Sequence, residues 1–482
     1  MKPIFTLMLS TAFVISCSSN HKHVTLVEQT QAMKTAEAEG VVAGMLAAAD
    51  KHDWKTFENS FANQTVVIRE APELMRPEDI TNRMSPTLEW FDSTQHKLDG
   101  FKIEEKNGRL LGTADLKVNY WKNRGLNSDV GTTSSKLAYE FIREGEVLKI
   151  MRMQWVSEKM SGDKDILETA WKKSLLRKNP FIVDVVDFPS KNKKNMRGFV
   201  YIPGKNVHDV VILSGNLANV KEQGPLQYAR LLAGRGIGVL VFDYVNFGES
   251  DGPVRNLEDP GQKIEDLRAA VDFISHREEF AGARISLATL GASAGYASAE
   301  AVNDPRIDRL LLIAPWIQSP DLASEFYKNP GEKILASRQA NHQFQQDGVL
   351  TYVPVASYSD QSAVLYTDSN SSLDYYLNPN RGGIPQWENQ FATMGWGPWL
   401  NFDGVSSASR VRVPTLIIQS RAGDFLAGVE EYTARMRLKP EMHWLSASQY
   451  DFYDRAETMN DVVEIVDEFL NPSHAETEVT KL

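Results

Sequence analysis

Ser293 stands between two glycines in "TLGASAGYAS", with the spacing Gly291-x-Ser293-x-Gly295. The flanking residues are glycine and alanine, so the chain can turn sharply there and leave the hydroxyl exposed to a substrate. A serine presented this way attacks a carbonyl carbon if a base takes its proton and N–H groups receive the oxyanion. Ala294 N–H is one such donor. The other is expected from the backbone N–H of Asn216 or Leu217, in the loop after "VVILSG". What would take the proton is less plain.

The elements around the serine support that reading. From 181 onward, short β-rich runs alternate with amphipathic helices, which implies βαβ units and a mostly parallel sheet. "VHDVVILSG", "IGVLVFDY", "ARISLATL" and "RIDRLLLIAPW" read as strands. "PLQYARLLAGRG", "PGQKIEDLRAAVDFISHR" and "SAGYASAEAV" read as the helices between them. The serine thus falls where a strand ends and a helix begins, and the helix N-terminus favours developing negative charge. A segment rich in Tyr, Trp, Gln and Asn interrupts the pattern at about 317–409, as a cap over the site, with Trp387, Trp396 and Trp399 read mainly as its own core. The pattern resumes with "VRVPTLIIQS", "VEEYTARMRL", "EMHWLSAS" and "NDVVEIVDEFL".

"SGNLANVKEQ", "FDYVNFGESDGP", "KIEDLRAAVDF" and "LGASAGYA" resemble the α/β-hydrolases related to acetylxylan esterases, dienelactone hydrolases and serine aminopeptidase-like proteins. The resemblance spans about 183–470 and implies an α/β fold with acyl hydrolysis by Ser293. It also implies an acid after "VPTLIIQS", where Asp424 is available, and a histidine after the last strand. That last loop reads "SASQYDFYDR", and Gln449 occupies the histidine's place. An amide neither takes nor gives a proton near neutral pH. His443 is some six residues away along a strand, and His208 and His276 belong at the opposite edge of the sheet. His342, in the cap, is a candidate base. Asp451 and Asp454 flank the vacant position and are candidates too, although a carboxylate of ordinary pKa is a weak base for serine. Acyl hydrolysis of a small-molecule ester or amide is therefore expected, with a hydrolase-like binding protein as the alternative.

Upstream, 29–160 carries three helical stretches followed by long alternating runs, an α+β order with a curved sheet around the first helix. That order resembles the SnoaL-like branch of the nuclear transport factor 2-like fold, which implies a binding, accessory or dimerising domain. Asp92, His96, Tyr120 and Trp121 are polar or aromatic residues that could line such a cone. A charged connector at 161–180 joins it to the hydrolase-like part, 181–472, and 473–482 is a tail.

The first 16 residues have the character of a leader, with Lys2 ahead of an apolar run too short to span a bilayer. "VISC" resembles a bacterial lipobox and makes Cys17, the only cysteine among 482 residues, a lipidation site in the envelope. The tether, 17–28, includes His21 and His23, read as solvated. Membrane association is expected through this anchor alone. A net charge of −11 without a long basic stripe argues against a nucleic-acid partner. No metal-ligand cluster or cofactor motif stands out.

Overall fold

The computed structural model describes residues 26–471 apart from 69–71, 107–108, 125–126, 164–165, 168–169, 171–180, 205–206, 328, 368–372 and 424. Cys17, the His21/His23 pair and the tail lie outside the described residues, as does Asp424.

The N-terminal unit begins with α1 (Leu26–Asp50) and α2 (Trp54–Glu58), followed by β1 (Phe61–Ile68), β2 (Pro72–Met75) and α3 (Pro77–Leu88). A long meander then runs through β3 (Ser93–Lys106), β4 (Arg109–Arg124), β5 (Asn127–Glu144) and β6 (Val147–Gly162). Sheet order is β2-β1-β6-β5-β4-β3, with β1 parallel to β6. The pattern of the sequence does not mark β1, whose run "FANQTVVI" is short and is held by its neighbours on both sides rather than by a turn signal. Val42, Met45 and Leu46 of α1 pack against Phe57, Leu116, Tyr139 and Ile150. Ile166, Leu167 and Ala170 join the same core, so the first part of the expected connector belongs to this unit.

The second unit is an eight-stranded sheet. Its strands are β7 (Ile182–Pro189), β8 (Asn195–Ile202), β9 (Asp209–Ser214), β10 (Gly238–Phe242), β11 (Arg284–Leu290), β12 (Ile307–Ile313), β17 (Thr415–Ala422) and β18 (Glu441–Ser448). They lie in the order β18-β17-β12-β11-β9-β10-β8-β7. β7 and β8 are antiparallel to their neighbours, and the six others run parallel. Every residue of β9 and β10 is buried, as expected for central strands covered on both faces. The covering helices are α4 (Pro225–Gly234), α5 (Pro260–Ser275), α6 (Ser293–Asn303), α11 (Leu426–Arg435) and α13 (Ala456–Leu470). In α13, Met459, Val462, Val463, Val466 and Leu470 recur at helical spacing, and all are buried.

Between β12 and β17 lies the insertion. It contains α7 (Pro320–Phe326), α8 (Pro330–Asp347), β13 (Tyr352–Val353), β14 (Ala356–Ser357), β15 (Leu365–Tyr366), α9 (Asp374–Leu377), β16 (Phe391–Ala392) and α10 (Trp396–Leu400). Trp396 and Trp399 are buried in the core continuous with the main sheet, and Trp399 donates to the Tyr327 hydroxyl at 3.1 Å. Trp387 instead reaches inward and donates to the Ala218 carbonyl at 2.8 Å.

The two units are bonded through this insertion. Gln64 Nε2 donates to the carbonyls of Pro379 (2.6 Å) and Arg381 (3.0 Å), while Gln386 Nε2 donates to the Met151 carbonyl at 3.0 Å. A buried charge network crosses the same boundary. Arg109 pairs with Glu140 at 2.7 Å, Arg152 pairs with Glu249, and Lys221 Nζ lies 2.6 Å from Glu249 and 2.7 Å from Asp243.

Candidate active site

The elbow forms because β11 ends at Leu290 and the chain reverses at Gly291, whose φ is +59°. A Cβ on Gly291 would lie 2.1 Å from Asn216 Oδ1, so conformation and space both demand glycine. Asn216 Oδ1 accepts from Ala292 N–H at 2.7 Å, and Trp316 N–H donates to the Gly291 carbonyl at 3.0 Å. Gly295 is equally confined, since an added Cβ would meet the Phe402 ring at 2.9 Å. These contacts hold Ser293 at the carboxyl end of the parallel strands, the first residue of α6.

Ser293 is fully buried. Its hydroxyl donates to the Gly215 carbonyl at 2.5 Å and accepts from the Tyr244 hydroxyl at 3.4 Å. Of the expected oxyanion donors, Ala294 N–H is already directed at the Gly291 carbonyl, 3.2 Å away. The backbone N–H groups of Asn216 and Leu217 have no protein acceptor among the described residues, which leaves them able to receive an oxyanion.

Tyr244 was overlooked in the sequence except as part of "FDYVNFGESDGP". It follows β10 and rests on a buried ionic group. Lys263 Nζ lies 4.7 Å from the Tyr244 ring centroid and 2.8 Å from Glu258 Oε2. Glu258 in turn accepts from Ala218 N–H (2.9 Å) and from the Tyr296 hydroxyl (2.8 Å). Burial pushes the Lys263 ammonium below its ordinary value, with Glu258 opposing. Burial also raises the Tyr244 phenol, so it stays protonated and acts as a hydrogen-bond donor. Asp266, pushed up to about 6 by burial, accepts from Val245 N–H at 3.0 Å and so fixes the turn beside Tyr244.

Gln449 is buried in the loop after β18. Its Nε2 donates to the Ala314 carbonyl (2.7 Å) and to the Tyr453 hydroxyl (3.3 Å). That hydroxyl also accepts from Asn216 Nδ2 at 3.2 Å, and the Tyr376 hydroxyl does so at 2.9 Å. A chain of amides and phenols therefore runs from Gln449 to the elbow, with no proton acceptor of imidazole strength in it. Gln449 Oε1 is buried without a hydrogen-bond partner among the described residues, close to Gly423.

The three candidate bases are not brought to Ser293. His342 is exposed on the outer side of α8, an ordinary place for a polar residue on a helix that shows solvent one face. Asp454 is bound through both oxygens, each at 2.7 Å, by Arg381 of the insertion. Asp451 accepts from Ser448 N–H at 2.9 Å and lies 3.6 Å from Arg381. Burial would raise the Asp451 carboxyl, but the Ser448 N–H bond, Arg381 and Arg455 keep it below its usual range, which makes it a still weaker base. In the N-terminal unit, His96 is tied to Asp50 at 2.6 Å, Asp92 pairs with Lys122 at 3.2 Å, and the Tyr120 hydroxyl lies 3.3 Å from that of Thr133. Among the described residues, no cluster of His, Cys, Asp and Glu could hold a metal ion, and no helix is long and apolar enough to cross a membrane.

The fold of this second unit is shared with solved proteins. Uncharacterized PA2218 from Pseudomonas aeruginosa superposes with a TM-score of 0.54 at 22% identity, over 61% of this chain and 94% of that one. The α/β hydrolase GrgF from Penicillium sp. sh18 superposes at 0.52 and 20% identity, over 60% of this chain and 98% of that one. The fold is that of an α/β-hydrolase. No family model matches the sequence. Among curated relatives, YcjY of Escherichia coli K12, itself uncharacterized, is 31% identical over 128 residues, 25% of this chain and 42% of that protein. The thiohydrolase aneE of Aspergillus aculeatus is 30% identical over 177 residues, 35% of this chain and 54% of that protein. The chain thus spans about half the length of these two relatives. In this unit Ser293 stands at the turn between β11 and α6, and Gln449 stands in the loop after β18.

Proposed function

We propose that the chain is a serine-dependent acyl hydrolase in which Ser293 attacks the carbonyl of an ester-like substrate. The observation that carries this reading is the elbow itself: a φ of +59° at Gly291, a glycine that Asn216 leaves no room to replace, and a hydroxyl bonded between Gly215 and Tyr244. Glycine takes this left-handed conformation without strain, so the turn is built around that one residue and sets the Ser293 hydroxyl at its crest. Names among the relatives, thiohydrolase and acyltransferase, are in keeping with acyl transfer. Asn216 and Leu217 N–H, with Ala294 N–H released from Gly291, are read as the oxyanion donors, and Asp424 as a candidate acid.

The remaining parts of the reading rest on sequence. The N-terminal unit is taken as SnoaL-like, supported by its helices-then-meander order and by α1 packed against the sheet, with dimer formation as its candidate role. Cys17 is taken as a lipid anchor in the bacterial envelope, supported by "VISC".

A fluorophosphonate probe tests the nucleophile directly. The full chain is expected to label at one site and to release nitrophenol from p-nitrophenyl butyrate, and Ser293→Ala is expected to do neither. Absence of labelling would favour the second reading, a ligand-binding hydrolase-like protein. Two observations favour that alternative: Gln449 in place of histidine, and complete enclosure of Ser293.

A further inference from the structure

We infer that Ser293 takes its acyl group from donors whose leaving group departs as an anion, thioesters and aryl esters, and then retains it as a long-lived acyl-serine. The inference rests on Ser293 being the nucleophile, as proposed above, and adds the substrate class and the fate of the intermediate.

The argument begins with the groups that touch the reacting oxygen. Ser293 Oγ has two polar partners, the Gly215 carbonyl at 2.5 Å and the Tyr244 hydroxyl at 3.4 Å. A backbone carbonyl orients the hydroxyl but is no base. The phenol is a donor, because burial keeps it protonated and because Lys263 Nζ, 4.7 Å from its ring centroid, faces the aromatic system rather than the hydroxyl. Tyr244 therefore serves negative charge, first on Oγ and then on the tetrahedral oxygen beside it. A 3.4 Å bond in the free protein has room to shorten as that charge develops.

Missing among the described residues is a group that collects the serine proton and hands it to the leaving atom. An imidazole does both in turn. Here Gln449 Nε2 is bonded to the Ala314 carbonyl, and Asp451 and Asp454 are held by Arg381. Leaving groups must then depart unprotonated. The Ser293 Oγ–carbonyl carbon bond forms and the carbon–sulfur bond breaks. The electron pair leaves on sulfur as thiolate, and the thiolate itself takes up the serine proton, so acyl thioester and serine become acyl-serine and thiol. Thiols have a pKa of about 8.5 and alcohols lie near water at about 16; with half of that difference expressed in the rate, thioesters exceed alkyl esters by about 10³ to 10⁴.

The acyl-serine product is itself an alkyl ester. By the same rule its hydrolysis, which must expel the Ser293 alkoxide, is slow.

The test uses the full chain with four donors of one acyl group: the butyryl thioester of N-acetylcysteamine, p-nitrophenyl butyrate, ethyl butyrate and butyramide. The expected result is a burst of one equivalent of thiol or nitrophenol and an intact mass raised by one butyryl group on Ser293. Consumption of ethyl butyrate and butyramide is expected to be at least about 10³-fold slower. Tyr244→Phe is expected to slow acylation by thioester about 10²-fold at unchanged melting temperature. Fluorophosphonate labelling with ethyl butyrate consumed within tenfold of p-nitrophenyl butyrate, or with steady turnover and no adduct, overturns the inference while leaving the nucleophile intact. An unchanged rate in Tyr244→Phe also overturns it. Failure to label at all removes the nucleophile, and the inference with it.

Discussion

The elbow around Gly291 and the loop around Gln449 face the same end of one sheet, yet they are constrained differently. At the elbow the requirement falls on the backbone: glycine at φ +59°, Asn216 packed against it, and Trp316 N–H on its carbonyl. The Gln449 loop is just as firmly held, but by side chains that secure its shape and do no acid–base work. Arg381 binds Asp454 and Asp451, and Gln449 binds Ala314 and Tyr453. The contrast separates two demands that a hydrolase usually meets together. Display of the nucleophile is a backbone property, and basicity is a property of one side chain.

Substitutions can sharpen that contrast. Gly291→Val should be the most damaging, since a β-branched residue meets both the positive φ and Asn216. A loss of about 4 kcal/mol, or failure to accumulate folded protein, is expected in urea unfolding. Next comes Asp266, on the Tyr244 side of the elbow. Its pKa of about 6 in the folded chain exceeds its unfolded value of 3.8, so the folded state binds the proton more tightly. The stability this provides is complete below the unfolded value and is lost as pH rises to about 6. Asp266→Asn should remove up to roughly 3 kcal/mol of pH dependence between pH 4 and 6, read as the difference between the two unfolding profiles.

Gln449→His tests the loop. If the elbow lacks only a base, turnover of p-nitrophenyl butyrate should rise about 10²-fold and the burst should give way to steady hydrolysis. No change would mean that the loop geometry has diverged as well. Arg381→Met leaves Asp451 and Asp454 without their guanidinium, and about 2 kcal/mol of stability should be lost, because this pair is mostly but not wholly buried. Ser293→Ala should have the smallest effect on the fold, about 1 kcal/mol for the lost bonds to Gly215 and Tyr244, while abolishing labelling.

Much of this was readable along the chain. Unbroken apolar runs such as "DVVILS" and "GVLVF", with helices between them, announce a covered parallel sheet, because strands buried on both faces carry no polar alternation. The absence of histidine from "SASQYDFYDR" was equally visible. β1 was not, because its eight residues are fixed by partners on either side, one of them 80 residues on. Nor was the burial of Ile166 and Leu167, which lie in a stretch that reads as a charged linker.

The site divides along the same line. Local sequence determined what depends on local backbone: the tight turn at Gly291, the serine at its crest and the amide at 449. Tertiary structure decided what surrounds the hydroxyl. Tyr244 lies 49 residues from Ser293, and the Arg381–Asp454 pair spans 73. No periodicity encodes such contacts, because they arise only when strands far apart in sequence are laid side by side and the groups at their ends are removed from water together.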